Sequence, residues 1–134
     1  MKNELPDLNN FPALNKYLNR KIFYILDKDK NVIPATVLEW GSFLERDMSE
    51  RRVGAYGVGD INISTIFLGL DHNLMGLVKN GKSDHTHIFE TMVFDKDDND
   101  IYCRRCSTWK EAELMHQEAI EWVKNGCKEE DGIN

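Results

Sequence analysis

The chain has 134 residues, of which 41% are apolar and 30% are charged, a composition typical of one globular domain with a single core. The formal charge of −6 and the pI of about 5.2 argue against nucleic acid as a partner, because the phosphate backbone selects clustered Lys and Arg. The sequence shows neither an apolar run of membrane-spanning length nor a signal peptide, so a cytoplasmic protein is expected.

Apolar periodicity predicts the elements in chain order. Residues 11–18 have helical spacing and predict a short N-terminal helix. Runs of β-branched and aromatic residues predict strands at 21–26, 32–33, 51–57, 61–70, 87–94 and 101–103. The acidic segments 27–31 and 95–99 imitate the start of a calcium-binding loop but lack its later ligands, so they are predicted to be hairpin turns.

Two longer helices are predicted. In the helix at 36–47, Val37, Trp40, Phe43 and Leu44 share one apolar face. The helix at 108–124 begins with a capping box.

These elements predict an α+β fold with a single antiparallel sheet of about five or six strands and both longer helices on one face. The strand at 61–70 is expected to be central and antiparallel to the strand at 87–94. Residues 1–127 are expected to form this one domain, and residues 128–134 a frayed C-terminal tail.

Three segments of the sequence are distinctive: STIFLGLDHN at 64–73, FETMVF at 89–94 and STWKEAELMH at 107–116. Together they resemble a family of small, uncharacterised proteins encoded by bacteriophages and prophages, and the resemblance covers residues 36–124. The chain departs from the family pattern in the loop at 80–87 and at Cys106, where the family often has an aromatic residue. The resemblance implies a phage origin, and therefore the cytoplasm of a bacterial host cell, but no activity.

A carboxylate–imidazole cluster is the candidate catalytic site. Glu90 lies within a predicted strand, Asp71 and His72 end another strand, and His116 lies on the apolar face of the last helix. A carboxylate and an imidazole can act as general base and acid, so Glu90, His116 and His72 are expected to lie near one another. The favoured alternative is structural, with Glu90 towards solvent and His116 hydrogen-bonded at the edge of the core.

Zinc is the one metal that the spacing of side chains suggests. Cys103 and Cys106 have the spacing of a zinc-binding pair, and His85 and His87 could supply two further ligands. A second Cys-x-x-Cys motif is missing from the sequence, so two semi-buried thiols beside a polar loop are favoured and no cofactor is expected.

Trp122 lies off the apolar face of the last helix, and Arg51 and Arg52 form an isolated basic pair, so these three are the candidate binding residues. The leading hypothesis is a small phage-encoded accessory protein that binds a host protein, such as a defence protein, and modulates or inhibits it. The alternatives are a small hydrolase or ligand-binding enzyme that uses the Glu/His site, and a zinc-stabilised binding module. A homo-oligomer is left open, and no membrane contact is expected.

Overall fold

The computed structural model describes residues 22–71 and 87–128. Within these ranges the fold is α+β, as predicted, and no helix is long and apolar enough to cross a membrane. The elements in chain order are β1 (Tyr24–Leu26), β2 (Val32–Pro34), α1 (Val37–Leu44), a short 3₁₀ helix (Met48–Glu50), β3 (Arg52–Val58), β4 (Ile61–Phe67), β5 (Phe89–Phe94), β6 (Asp100–Cys106) and α2 (Trp109–Lys124). The predicted helix at 11–18 lies outside the described residues, as does the predicted tail beyond residue 128.

The strands form two sheets, so the prediction of a single sheet of about five or six strands is wrong. β1 and β2 form a two-stranded hairpin, and β3, β4, β5 and β6 form a four-stranded antiparallel sheet in that order. The hairpin contacts the rest of the chain at several points, among them the segment after β4, where Phe23 bridges Leu70 and the Tyr24 N–H donates to the Gly69 carbonyl at 2.7 Å. Gly69 has a φ of +72°, a conformation that leaves the extended ladder. β4 therefore ends before the hairpin could extend the sheet.

The centre of the four-stranded sheet is as predicted. β4 pairs antiparallel with β3 on one side and with β5 on the other, and β5 pairs with β6. Side chains alternate between the faces of a strand, and in β4 the side chains of Ile63, Thr65 and Phe67 are buried while those between them are partly exposed. β5 shows the same alternation, with Phe89, Thr91 and Val93 buried.

Helix α2 covers this buried face. Its N-terminus is capped by Thr108, whose hydroxyl accepts a hydrogen bond from the Glu111 N–H at 3.1 Å. The helix packs against all four strands of the sheet. Its buried side chains recur at helical spacing and form one apolar face: Ala112, Met115, Ala119, Ile120 and Val123.

Helix α1 packs at the end of the sheet where β4 finishes. The Trp40 indole N–H donates to the Leu68 carbonyl at 3.0 Å, and the Phe43 ring packs edge-on against Phe67. Val37, predicted to lie on the core face, is instead 54% exposed. Side chains tilt towards the N-terminus of a helix, so Val37 in the first turn points beyond the packed part of α1.

The two predicted hairpin turns are confirmed. In the β1–β2 turn, one carboxylate oxygen of Asp27 accepts the N–H groups of Asp29 and Asn31, each at 2.9 Å. In the β5–β6 turn, Asp95 does the same for Asp97 and Asn99, at 2.9 and 3.0 Å. These local hydrogen bonds hold the pKa of Asp27 and of Asp95 below the usual range, so both stay charged near neutral pH.

Candidate functional site

A chain of hydrogen bonds, buried between the threonines and part-buried at the histidine, joins α2 to the centre of the sheet. The Thr65 hydroxyl lies 2.6 Å from the Thr91 hydroxyl and 2.7 Å from His116 Nδ1. Thr65 and Thr91 are cross-strand partners on β4 and β5, and both are fully buried. We call these three side chains the threonine–histidine chain.

The threonine–histidine chain divides the hydrophobic core. One apolar cluster contains Phe67, Phe89 and Ala112, and the other contains Ile63, Val93, Ala119 and Ile120. The three polar side chains lie between the two clusters. Thr65 stands between Ile63 and Phe67 on β4, and Thr91 stands between Phe89 and Val93 on β5. On α2, His116 stands between Ala112 and Ala119. The polar layer thus fixes the position of α2 along the sheet, since a shift of the helix would bury these groups without partners.

The backbone of β3 closes the layer from the other side. Gly54 packs so closely on the imidazole that a Cβ atom built there would lie 2.5 Å from His116 Nε2. Only glycine permits this approach of strand and ring. His116 is therefore held between the β3 backbone and the Thr65 hydroxyl.

Burial lowers the pKa of His116 from its ordinary value, which keeps the imidazole neutral near pH 7. A neutral imidazole at hydrogen-bond distance from a hydroxyl resembles the base–nucleophile pair of covalent catalysis. Here the hydroxyl belongs to Thr65, whose side chain has no exposed surface. A substrate cannot reach that oxygen without displacing α2, so this arrangement supports the structural reading of His116.

Glu90 does not join His116. It lies in register with Ile66 and Arg105, whereas the neighbouring register pair Thr65 and Thr91 points to the opposite face of the sheet. The Glu90 carboxylate instead accepts hydrogen bonds from Arg105 Nη2 at 2.9 Å and Nε at 3.0 Å. We call the face that carries Glu90 and Arg105 the outer face. The predicted grouping of Glu90 with His116 is thus not found, because alternation separates the two across the sheet.

The Asp71 candidate is buried, with 3% of its surface exposed. Its N–H donates to the Ile22 carbonyl at 2.9 Å, and its carboxylate accepts the His87 N–H at 3.1 Å. Asp71, which follows β4, therefore connects Ile22, which precedes β1, with His87, which precedes β5. His72 and His85 lie outside the described residues.

The two cysteines of the zinc hypothesis point in different directions. Cys103 is in register with Met92 on the outer face, whereas Cys106 is in register with Phe89 on the face towards α2. Residues three apart on a strand alternate in this way, so the two sulfur atoms do not form a chelating pair. Within the described ranges, no group of three or more His, Cys, Asp or Glu side chains could hold a metal ion.

Both thiols also have raised pKa values. Burial, followed by the charge of Glu111, raises the pKa of Cys106 to about 11. Burial also raises the pKa of Cys103, against the opposing charge of Arg105. Metal ligands and nucleophiles need the thiolate, so both cysteines have the character of inert thiols near neutral pH.

Of the three candidate binding residues, Trp122 and Arg51 make contacts within the fold, and Arg52 is exposed. The Trp122 ring packs on Tyr102 with centroids 4.8 Å apart, and its indole N–H is buried with no acceptor in the part of the chain that the structure describes. Arg51 Nη1 donates to the Phe67 carbonyl at 3.1 Å and ties β3 to the end of β4.

Three exposed apolar side chains lie on or beside α1. Leu38 is 80% exposed, Val37 is 54% exposed and Ile33 is 39% exposed. Ile33 is the cross-strand partner of Ile25, and Ile25 and Leu38 line the same cavity. We call the group formed by Ile25, Ile33, Val37 and Leu38 the α1 surface. Its cavity measures about 360 Å³ and is lined by Ile25, Leu38, Glu39, Ser42, Phe43 and Arg46.

Sequence reasoning did not identify Thr65, Thr91 or Gly54, although each left a signal. The two threonines occupy positions where the alternation of β4 and β5 calls for an apolar residue. Gly54 interrupts a strand, which marks a close approach of some other group. These signals do not identify the partner of each residue. The strand register of the structure shows that all three residues lie at or next to His116.

Comparisons of the chain with protein-family models, with curated proteins and with solved structures find no significant match.

Proposed function

We propose that this protein acts by binding another protein, and that the α1 surface is its binding site. The observation that carries the proposal is the exposure of Leu38, at 80%, beside the exposed Val37 and Ile33. Contiguous apolar side chains left in water are typical of binding sites, whereas scattered ones are not. α1 is capped at Thr36 and anchored by Trp40 and Phe43, so the surface is presented on a fixed support.

The chemistry of the surface describes the partner. An apolar side chain of the partner would enter the cavity between Ile25 and Leu38. Arg46 lines the same cavity, and its contact with Glu50 is a solvent-exposed one of 3.6 Å, which contributes little. The carboxylate of Glu39 is already bonded to the Thr36 N–H at 2.9 Å. We therefore propose a partner segment with an apolar anchor next to an acidic residue.

In the setting that the sequence resemblance implies, the partner is a protein of the bacterial host, and binding modulates or inhibits it. A defence protein is the specific proposal within that class.

A pair of leucine variants tests the binding site. Leu38→Lys should abolish capture of the partner from a bacterial lysate, because a charge would enter the apolar contact. Leu114→Lys is the matched control, since Leu114 is also a largely exposed leucine, at 61%, but lies on α2. The expected result is a protein that the wild type and Leu114→Lys both capture and Leu38→Lys does not, with the same pattern when the purified partner is titrated.

Thermal unfolding of both variants should match the wild type, because both side chains are mostly in water. Equal capture by all three proteins, or none by any of them, would reject the α1 surface as the binding site.

A further inference from the structure

We propose that His116 is a pH-sensitive latch between α2 and the sheet. In the neutral form its Nδ1 atom accepts the last hydrogen bond of the threonine–histidine chain, and protonation reverses that chain and loosens the contact of α2 with β4 and β5.

The hydrogen atoms of the two hydroxyl groups determine which nitrogen of His116 carries the proton. If Nδ1 accepts, Thr65 donates to His116 and Thr91 donates to Thr65, so both hydroxyl hydrogens have an acceptor at 2.6–2.7 Å. If Nδ1 instead carries a proton, it must donate to Thr65, and Thr65 must donate to Thr91. The Thr91 hydrogen then has no acceptor among the described residues, in a side chain with no exposed surface. The geometry therefore selects the neutral imidazole with its proton on Nε2.

Protonation adds the missing proton at Nδ1 and forces the second arrangement. It leaves a buried hydroxyl donor unpaired, which is costly in a protein interior. It also places a positive charge on a half-buried ring, and burial disfavours the charged form. The unpaired hydroxyl and the burial of the ring therefore both disfavour the charged form of His116.

The surroundings offer the imidazolium no ion-pair partner. Within residues 22–71 and 87–128, the ion pairs join Arg46 to Glu50 and Arg105 to Glu90, and neither includes His116. Three of the four strands packed on α2 contribute uncharged neighbours, Gly54 from β3, Thr65 from β4 and Thr91 from β5. The fourth strand, β6, places the positively charged Arg104 in register with Thr91. Other titratable side chains on the same side of the sheet and on the adjoining helix turns include Tyr56, Tyr102, Cys106, Glu113 and Lys124.

The direction of the pH effect follows from the burial of the ring, which lowers the pKa of His116 below its value in the unfolded chain. The stability contributed by the neutral ring is complete above the unfolded-state pKa, near 6.5. It is lost as the pH falls from there towards the folded-state pKa, because the unfolded chain takes up its proton first. Mild acid should therefore release α2 from the sheet more readily than neutral solution does.

Nitrogen NMR of the histidine ring tests the latch directly. We expect the Nε2–H tautomer at neutral pH and a titration midpoint for His116 below that of an unfolded peptide containing the same residues. An Nδ1–H tautomer, or a midpoint at or above that of the peptide, would overturn the proposal.

The variant His116→Asn supplies a second measurement. The side-chain amide oxygen of Asn can take the place of Nδ1 and accept from Thr65, yet it does not titrate. Between about pH 7.5 and about pH 5, the unfolding equilibrium constant of the wild type should rise relative to that of His116→Asn, on the order of tenfold for each unit by which the pKa is lowered. His87→Asn, at a half-buried histidine outside the threonine–histidine chain, should keep the wild-type pH dependence.

Identical pH dependence of His116→Asn and the wild type would reject the latch. If His116→Asn does not fold, the ring titration of the wild type decides the question alone. Neither measurement involves the α1 surface, so the latch and the proposed binding function stand or fail independently.

Discussion

The two faces of the four-stranded sheet differ in how far their polar side chains are exposed to water. On the face towards α2, Thr65 and Thr91 are fully buried and depend on one another and on His116 for hydrogen bonds. On the outer face, Glu90 and Arg105 form an ion pair in which the arginine side chain remains 38% exposed. The bonds on both faces are short, at 2.6–2.7 Å and 2.9–3.0 Å.

The two faces also differ in whether water can replace a hydrogen-bond partner that a substitution removes. Water can reach a partly exposed group on the outer face and take over its hydrogen bond, so each ionic partner depends less on the other. Water cannot reach the fully buried hydroxyls of Thr65 and Thr91, and an unpaired hydroxyl there bears its full desolvation cost. We therefore expect the uncharged pairs of the buried face to contribute more to stability than the ion pair of the outer face.

The largest effect is expected at Gly54, whose backbone sets the space for the buried layer. In Gly54→Ala the new Cβ would lie 2.5 Å from His116 Nε2. The ring must then move, which breaks its bond to Thr65 and separates β3 from α2. We expect a loss of about 2–4 kcal/mol in the free energy of unfolding, measured by urea titration.

Gly57→Ala is the control in the same strand. Its Cβ would meet nothing closer than the Asn62 side chain at 3.5 Å, an ordinary contact. Its effect should stay within about 0.5 kcal/mol. Equal losses in the two variants would mean that the close packing of β3 on His116 is not what holds the buried face together.

The second effect concerns the two threonines. Thr65→Val should cost about 2 kcal/mol, because it leaves both the Thr91 hydroxyl and His116 Nδ1 without their partner. Thr91→Val should cost about 1 kcal/mol, because Thr65 can still donate to His116. The double variant should lose less than the sum of the two, by about 1 kcal/mol, since the second substitution removes a group that the first left unpaired.

Urea titrations of the four proteins in this cycle measure the coupling. If the losses of unfolding free energy in the two single variants add up to the loss in the double variant, the two hydroxyls are not coupled. The expected difference between the buried face and the outer face would then be wrong.

The sequence predicted several elements of the fold well because they have strong local signals. Thr108 and Glu111 mark the start of α2, and Asp27 and Asp95 mark the two turns. The antiparallel pairing of β4 with β5 was likewise predicted. The division into two sheets was not, because it depends on the conformation of Gly69, and glycine in a sequence does not reveal which of its allowed φ values it adopts.

The candidate site was predictable only in part, because β5 has apolar residues in both of its alternating sets. Phe89 and Val93 point towards α2, while Met92 and Phe94 share the outer face with Glu90. Either set could face the core, so the sequence alone could not assign Glu90 to a face. His116 was predicted at the edge of the core, but its partners depended on a strand register that no local pattern specifies.

The smallest effect is expected on the outer face, at the ion pair of Glu90 and Arg105. Glu90→Gln should lower the free energy of unfolding by about 0.5 kcal/mol, because the amide keeps the shape and one hydrogen-bond acceptor for Arg105. Glu90→Ala should cost somewhat more, up to about 1 kcal/mol, because it also removes contact area from a side chain that is only 17% exposed. The cost of Glu90→Gln should shrink at high salt, which screens exposed charges, whereas the cost of Thr65→Val should not change with salt. Urea titrations of both variants at low and high salt measure this difference. If Glu90→Gln costs as much as Thr65→Val and is insensitive to salt, the outer face excludes water as thoroughly as the face under α2, and the contrast between the two faces is wrong.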